Sequence, residues 1–192
     1  MDFLKDYDIV LASNSPRRKE LLGGLGLPYR VSVLPDIDET YPTTLQGEEI
    51  PLYISRKKAE AYRDKMGENT LLITADTIVW LDGKVYGKPA DKAEACAMLH
   101  ALSGHTHTVI TGVTICTLAK EVSFAVSTEV SFAPLSDEEV NHYVETYKPY
   151  DKAGAYGIQE WIGYVGVTGI SGSYFNVMGL PIHRLYQELK HF

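Results

Sequence analysis

The chain has 192 residues, 45% of them hydrophobic and 22% charged, with a formal net charge of -7. This length and mixture exclude a disordered chain and allow a sizeable apolar core, in one large domain or two small lobes. An acidic chain lacks the broad basic face that general nucleic-acid binding needs, so any polyanion must meet a local basic site. Cys96 and Cys116 sit in no CxxC pair, which points to buried thiols in a reducing compartment and away from a disulfide framework or structural zinc. The segment from Met1 to Asp8 carries Asp2, Asp6 and Asp8, unlike a signal peptide, and the apolar runs are too short to span a bilayer. A cytoplasmic protein without membrane partners is expected.

In chain order, Ile9 to Ala12 predicts a short apolar strand that stops at Ser13. Ser15 then caps a helix with Pro16 at its first position, and Gly23-Gly24 end it. Tyr29 to Leu34 reads as a second strand, and Pro35 to Gly47 as an acidic loop holding Asp36, Asp38 and Glu39. An amphipathic helix is predicted from about Glu48 to Met66, with Ile50, Ile54, Ala61 and Tyr62 as its buried stripe. Leu71 to Ala75 predicts a central parallel strand leading into Asp76-Thr77. Ile78 to Tyr86 predicts a hairpin turning at Asp82-Gly83. Asp91 and Glu94 mark the next helix start, and Ser103-Gly104 its end. Two long strands follow, about Thr106 to Leu118 and Glu121 to Phe132. Ser136 with Glu139 forms a capping box opening a helix to about Tyr147. Asp151 to Gly179, rich in glycine and aromatics, reads as loops and short strands, and Pro181 begins a last helix over Ile182 to Leu189. The alternation of βα units and hairpins implies an α/β fold with a mixed sheet and helices on its faces.

The turn Ser13-Asn14-Ser15-Pro16-Arg17-Arg18 breaks a local rule. Helix starts favour acids, because their free N–H groups carry partial positive charge. Here Arg17, Arg18 and Lys19 fill the first turn, an unfavourable arrangement unless an anion is held there. Serine hydroxyls, free N–H groups and guanidinium forks make a phosphate cradle, directly after a strand where α/β folds place ligands. The plainer alternative is a solvated helix end. Neither a Walker loop nor a dinucleotide fingerprint is present.

Asp76, following an apolar strand, is placed to hold Mg²⁺ or to activate water; a turn cap is the alternative. Glu39 is a candidate second metal ligand, or simply part of a solvated loop. Lys58 and Lys88 are candidate phosphate partners, Lys88 the more pointed because Gly87 and Pro89 restrict the backbone around it. Lys152 lies in a run of small residues that let backbone approach a ligand, and Gln159 at its end can read a base edge. His107 reads as structural, and without a GxSxG elbow a Ser-His-Asp hydrolase is not expected.

These residues together resemble the Maf family of nucleoside triphosphate pyrophosphatases. The matching motifs are Ser13-x-Ser15-Pro16-Arg17-Arg18 with Glu20-Leu21-Leu22, Asp38-Glu39, Lys58-Ala59, Ala75-Asp76-Thr77 and Gly87-Lys88-Pro89. They continue through Ser103-Gly104-x-Thr106-His107, Asp151 to Gln159, Gly172-Ser173-Tyr174 and Val177-x-Gly179-Leu180-Pro181. The resemblance implies one domain over residues 1–192, with a mixed, curved central sheet flanked by helices and two lobes with a deep cleft, as in inosine triphosphate pyrophosphatases. It implies cleavage of nucleoside triphosphates to monophosphate and pyrophosphate with a divalent metal, Mg²⁺ or Mn²⁺. The run Asp151 to Gln159 resembles the branch acting on dTTP, UTP and modified pyrimidine nucleotides. The resemblance makes Asp76 the proton acceptor and ties Arg17, Thr77 and Gln159 to substrate choice. It places Ser13, Arg18, Glu39, Lys58, Lys88 and Lys152 along the pocket, and makes a homodimer plausible. One departure is Glu160-Trp161, where many members have glycine. The rival readings are a non-catalytic nucleotide-sensing regulator of septum formation and an ITP-type pyrophosphatase.

Overall fold

The fold is described for residues 2–192 from a computed structural model. Seven strands, β1 (Asp8–Leu11), β2 (Arg30–Val31), β3 (Thr70–Leu81), β4 (Lys84–Tyr86), β5 (Thr106–Cys116), β6 (Glu121–Phe132) and β7 (Val167–Ser171), form one sheet. Its order is β2-β1-β3-β5-β6-β7, with β4 paired to β3. β1 runs parallel to β2 and β3, while β4 and β7 are antiparallel to β3 and β6, so the sheet is mixed as expected. The helices are α1 (Pro16–Gly23), α2 (Glu49–Glu60), α3 (Lys92–Leu102), α4 (Asp137–Tyr147), α5 (Trp161–Gly166), α6 (Tyr174–Met178) and α7 (Ile182–Leu189). None of the described helices is long and apolar enough to cross a membrane. The chain divides into two compact units, the first comprising residues up to Asp76 with Thr111–Val126 and Gly179–Phe192, the second Thr77–Ile110 with Ser127–Met178.

In the first unit, β1 and β3 set Val10 beside Leu72 and Leu11 beside Ile73. Leu11, Leu71, Leu72 and Ile73 are almost wholly buried, each contributing roughly 1.5–3 kcal/mol of burial. Helix α2 buries Ile50, Ile54 and Ala59, and Val10, Ala59, Tyr62, Leu72 and Cys116 form one cluster. The helix comes so near the sheet that a Cβ on Gly112 would lie 2.4 Å from the Pro51 carbonyl carbon and oxygen. Only glycine fits there. Two buried hydrogen bonds fix the same contact: Thr74 Oγ1 donates to Ser55 O at 2.7 Å, and the Ser55 and Thr114 hydroxyls meet at 3.0 Å.

In the second unit, β3 and β4 turn at Asp82 and Gly83, both at positive φ (50° and 76°), as the dipeptide predicts. Helix α3, capped by Asp91, packs on α4 and on a 3-10 turn at Ala153–Ala155. The Ser136–Glu139 capping box of α4 has both its bonds, and α4 buries Val140, Tyr143 and Val144. His107, 1% exposed, stacks edge-on with Phe132 and Tyr156, and its Nε2 lies 2.7 Å from the Tyr156 hydroxyl. Burial drives the imidazole down to about pKa 4, which fits the structural role expected of it.

Several elements differ from the sequence expectation. β2 is two residues long, not six, with both residues exposed. α2 ends at Glu60 and gives way to a 3-10 turn at Arg63–Lys65; Ala61 is exposed, and Ala59 fills the core instead. β3 does not stop at Ala75 but runs on to Leu81. The region from Asp151 to Gly179 contains two short helices, α5 and α6, beside β7. Both cysteines are free, but only Cys116 is buried.

Candidate functional site

The basic turn folds as its residues require. The Ser15 side chain accepts from Arg18 N–H at 3.4 Å, and Pro16 occupies the first helical position, where a missing N–H costs nothing. No acid stands in the first turn. Ser13, nearly buried, accepts from Ser15 N–H at 3.2 Å and from Arg18 Nη1 at 3.4 Å. The guanidinium of Arg18 is committed to backbone: Nε donates to Gly179 O at 2.8 Å and Nη1 to Ala75 O at 3.0 Å. Burial lowers its pKa, and the Asp76 charge opposes that effect. Arg17 is half-buried at the opening of α1.

Asp76 lies in the interior of β3, not at its end, and is 9% exposed. A carboxylate at such a position needs a partner, and Lys58 of α2 supplies it. Lys58 Nζ stands 3.0 Å from Asp76 Oδ1 and 3.0 Å from Glu39 Oε1, so one ammonium joins the two acids suggested as metal ligands. The neighbouring pair is parallel: Asp38 meets Lys57 at 2.6 Å. Hydrogen bonds from Lys57 and from Thr40 N–H hold the Asp38 carboxyl well below its usual range. Ser13, Arg18, Glu39, Lys58 and Asp76 are thus connected through Arg18 and Lys58 within the first unit. The sequence gives no sign of the Lys58 bridge, since residues 39, 58 and 76 lie far apart along the chain.

Among the described residues, no group of three or more His, Cys, Asp or Glu side chains forms a metal-holding cluster. The donor set nevertheless suits Mg²⁺ or Mn²⁺. These hard cations take one or two protein carboxylates and complete their shells with substrate phosphates and water, and Glu39 and Asp76 are two such carboxylates.

In the second unit, Thr77 follows half-buried on β3, and Lys88 is exposed just beyond β4. The loop before Lys88 is tied to the run containing Lys152, because Gly154 N–H donates to Gly87 O at 3.0 Å. Gly154 has φ 67°, and a Cβ there would strike Val79 at 2.8 Å, which accounts for the glycine. Lys152 is 8% exposed and pairs with Asp151 at 2.9 Å and Glu160 at 3.1 Å. The amide oxygen of Gln159 is buried without a hydrogen-bond partner, an arrangement that a ligand donor would satisfy. The pair Glu160-Trp161 is anchored on α4: Glu160 accepts from the Tyr143 hydroxyl, and Trp161 packs edge-on against His142.

The match to the Maf-like protein family spans residues 8–192. A dTTP/UTP pyrophosphatase of Parabacteroides distasonis is 62% identical over 192 residues, covering the whole of both chains. One from Phocaeicola vulgatus is 64% identical over 190 residues, covering 99% of this chain and 98% of its own. The solved structure of a HAM1 protein from Coxiella burnetii aligns over 97% of this chain and 100% of its own, with TM-score 0.52 and 15% identity, a likeness of fold. The family pattern begins at the first strand and relatives align end to end, so this chain belongs to the Maf family.

Proposed function

We propose that the chain is a nucleoside triphosphate pyrophosphatase hydrolysing dTTP and UTP, with modified pyrimidine nucleotides, to the monophosphate and pyrophosphate. Its role would be house-cleaning of the cytoplasmic nucleotide pool, and a homodimer is the assembly we expect. The observation that carries the reading is the Lys58 ammonium, 3.0 Å from each of Glu39 and Asp76, in the unit that also holds the Ser13–Arg18 turn. Full-length relatives named for this activity support it.

The N–H groups opening α1, with Ser13 and Arg17, bind phosphate oxygens, and Arg18 holds the turn against Ala75 and Gly179. Glu39 would hold a divalent cation, which supplies neutralisation of phosphate charge when bound, and Asp76 serves either as its second ligand or as the base, since a metal on the carboxylate lowers its basicity. As the base, Asp76 accepts a proton from the water whose oxygen bonds to the α-phosphorus, and the bond to the β-phosphate oxygen breaks as pyrophosphate leaves. Lys58 holds the Asp76 carboxylate in place through Oδ1 at 3.0 Å. In the second unit, Lys88 and Lys152 bind phosphate oxygens, Thr77 shapes substrate choice and the Gln159 amide pairs with the base edge. The test is pyrophosphate release from a nucleotide panel with Mg²⁺ or Mn²⁺. Turnover of dTTP and UTP above that of ITP is expected; absence of turnover, or preference for ITP, would overturn the reading.

A further inference from the structure

Glu160 and Trp161, which follow Gln159, are held by consecutive residues of α4. The Trp161 and His142 rings meet at 4.8 Å and 73°. Glu160 is held more closely. Its Oε2 accepts a short hydrogen bond from Tyr143, and its Oε1 stands 3.1 Å from Lys152 Nζ. The Tyr143 hydroxyl in turn accepts Gly157 N–H at 3.0 Å. Tyr143 is fully buried and stacks on Tyr147, with centroids 5.1 Å apart. A backbone N–H, a buried phenol, a carboxylate and an ammonium therefore form one continuous chain.

We infer that Glu160, fixed by Tyr143, is a positioning residue that aims the Lys152 ammonium at the substrate's phosphate oxygens. The inference rests on the reading of Lys152 as a phosphate-binding residue. An ammonium has three N–H groups on a flexible stem. At Lys152, one meets Asp151, whose side chain is largely exposed, and one meets Glu160. With Glu160 pinned, two donor directions are set and the third follows. The acidic residue beside a phosphate-binding lysine offsets part of the ammonium's charge, and what it adds in return is order. It fixes a long side chain before the substrate arrives, and so lowers the ordering cost of binding.

A mutant cycle with Glu160→Gln, Tyr143→Phe and Lys152→Met tests this, reading KM and kcat for dTTP and UTP with Tm alongside. Glu160→Gln and Tyr143→Phe each raise KM about 5–10-fold with kcat within about twofold, the mark of lost binding rather than lost chemistry. In the Lys152→Met background, neither changes KM further. Equal effects in both backgrounds, or no effect in the parent, overturn the inference. Tyr143→Phe keeps the carboxylate and decides the matter if Glu160→Gln folds poorly. Lys152→Met alone separates the two levels. A wild-type KM there removes the phosphate-binding reading and this inference with it. A raised KM there, with Glu160→Gln silent, removes only the positioning role.

Discussion

Lys58 and Asp76 have side chains each 12% exposed, with their charges 3.0 Å apart. Both are largely withdrawn from water, so each is the other's ion-pair partner. Because Lys58 also reaches Glu39 at 3.0 Å, removing Asp76 leaves the lysine paired, whereas removing Lys58 leaves two acids facing each other. Asp76→Asn therefore keeps a near-normal Tm while turnover of dTTP and UTP falls by about 10²–10⁴-fold, the range for a lost general base. Near-normal pyrophosphate release from this variant would refute the assignment of Asp76.

Lys58→Met makes the opposite prediction for stability. It removes the shared counter-charge and lowers unfolding free energy by about 1–3 kcal/mol, moderated by the exposure of Glu39. A divalent cation binding the two carboxylates replaces that charge. Mn²⁺ therefore raises the Tm of Lys58→Met more than that of wild type. Equal shifts in differential scanning would argue that Glu39 and Asp76 hold no metal.

His107 gives the fold a pH dependence that the site does not need. In the unfolded chain its imidazole takes up a proton near the ordinary value of about 6.5, but in the folded chain only near 4. Between those values the unfolded state binds more protons, so stability falls as pH drops through the window, by at most about 3 kcal/mol. Urea titrations should show a shallower acid loss in His107→Phe than in wild type. Matching slopes between pH 6.5 and 4 would mean another group carries it.

Legibility in the sequence followed locality. The caps at Ser15, Asp91 and Ser136 and the Asp82-Gly83 turn were readable because each is a contact within four residues. In sequence, Asp76-Thr77 looks like the end of an apolar strand; β3 continues because Lys58, 18 residues away, satisfies Asp76. α5 and α6 have no clear sequence signal because Gly163, Gly166 and a dense set of aromatics depress helix propensity, and tertiary packing overrides it. The acids and bases of the site were legible as a set. Their connections were not, since Lys58 to Glu39, Arg18 to Gly179 and Glu160 to Tyr143 all span folded distance without any fixed spacing.

Gly112 was not singled out by the sequence, yet it has a severe steric role. A Cβ there would sit 2.4 Å from the Pro51 carbonyl and 2.6 Å from Leu52 N, all backbone that cannot swing aside. Gly112→Ala has to push α2 off the sheet, separating Lys58 from Asp76 as it does so. A loss of about 1–3 kcal/mol in urea unfolding is expected, with turnover reduced as well. Unchanged stability would mean that α2 sits farther from β5 than described.

The two arginines of the basic turn should separate under mutation, although the sequence presents them as equivalents. Arg18 uses its fork on Gly179 O and Ala75 O, tying α1 to the start of α7's segment and to the residue before Asp76. Lysine has no planar fork and offers all its N–H groups from one atom, so it does not reproduce the spread of Nε and Nη1 that reaches the two carbonyls. Arg18→Lys therefore lowers Tm and kcat together, because the cradle and Asp76 lose their common brace. Arg17 stands half-buried at the opening of α1 and is assigned to the substrate. Arg17→Ala accordingly raises KM for dTTP and UTP by about 10–100-fold, the worth of a charge-assisted contact of roughly 1.5–3 kcal/mol, with Tm held within a few degrees. The expected split is a stability and kcat effect at Arg18 and a KM effect at Arg17. If both variants moved only KM, Arg18 would be a second phosphate ligand and its backbone bonds incidental.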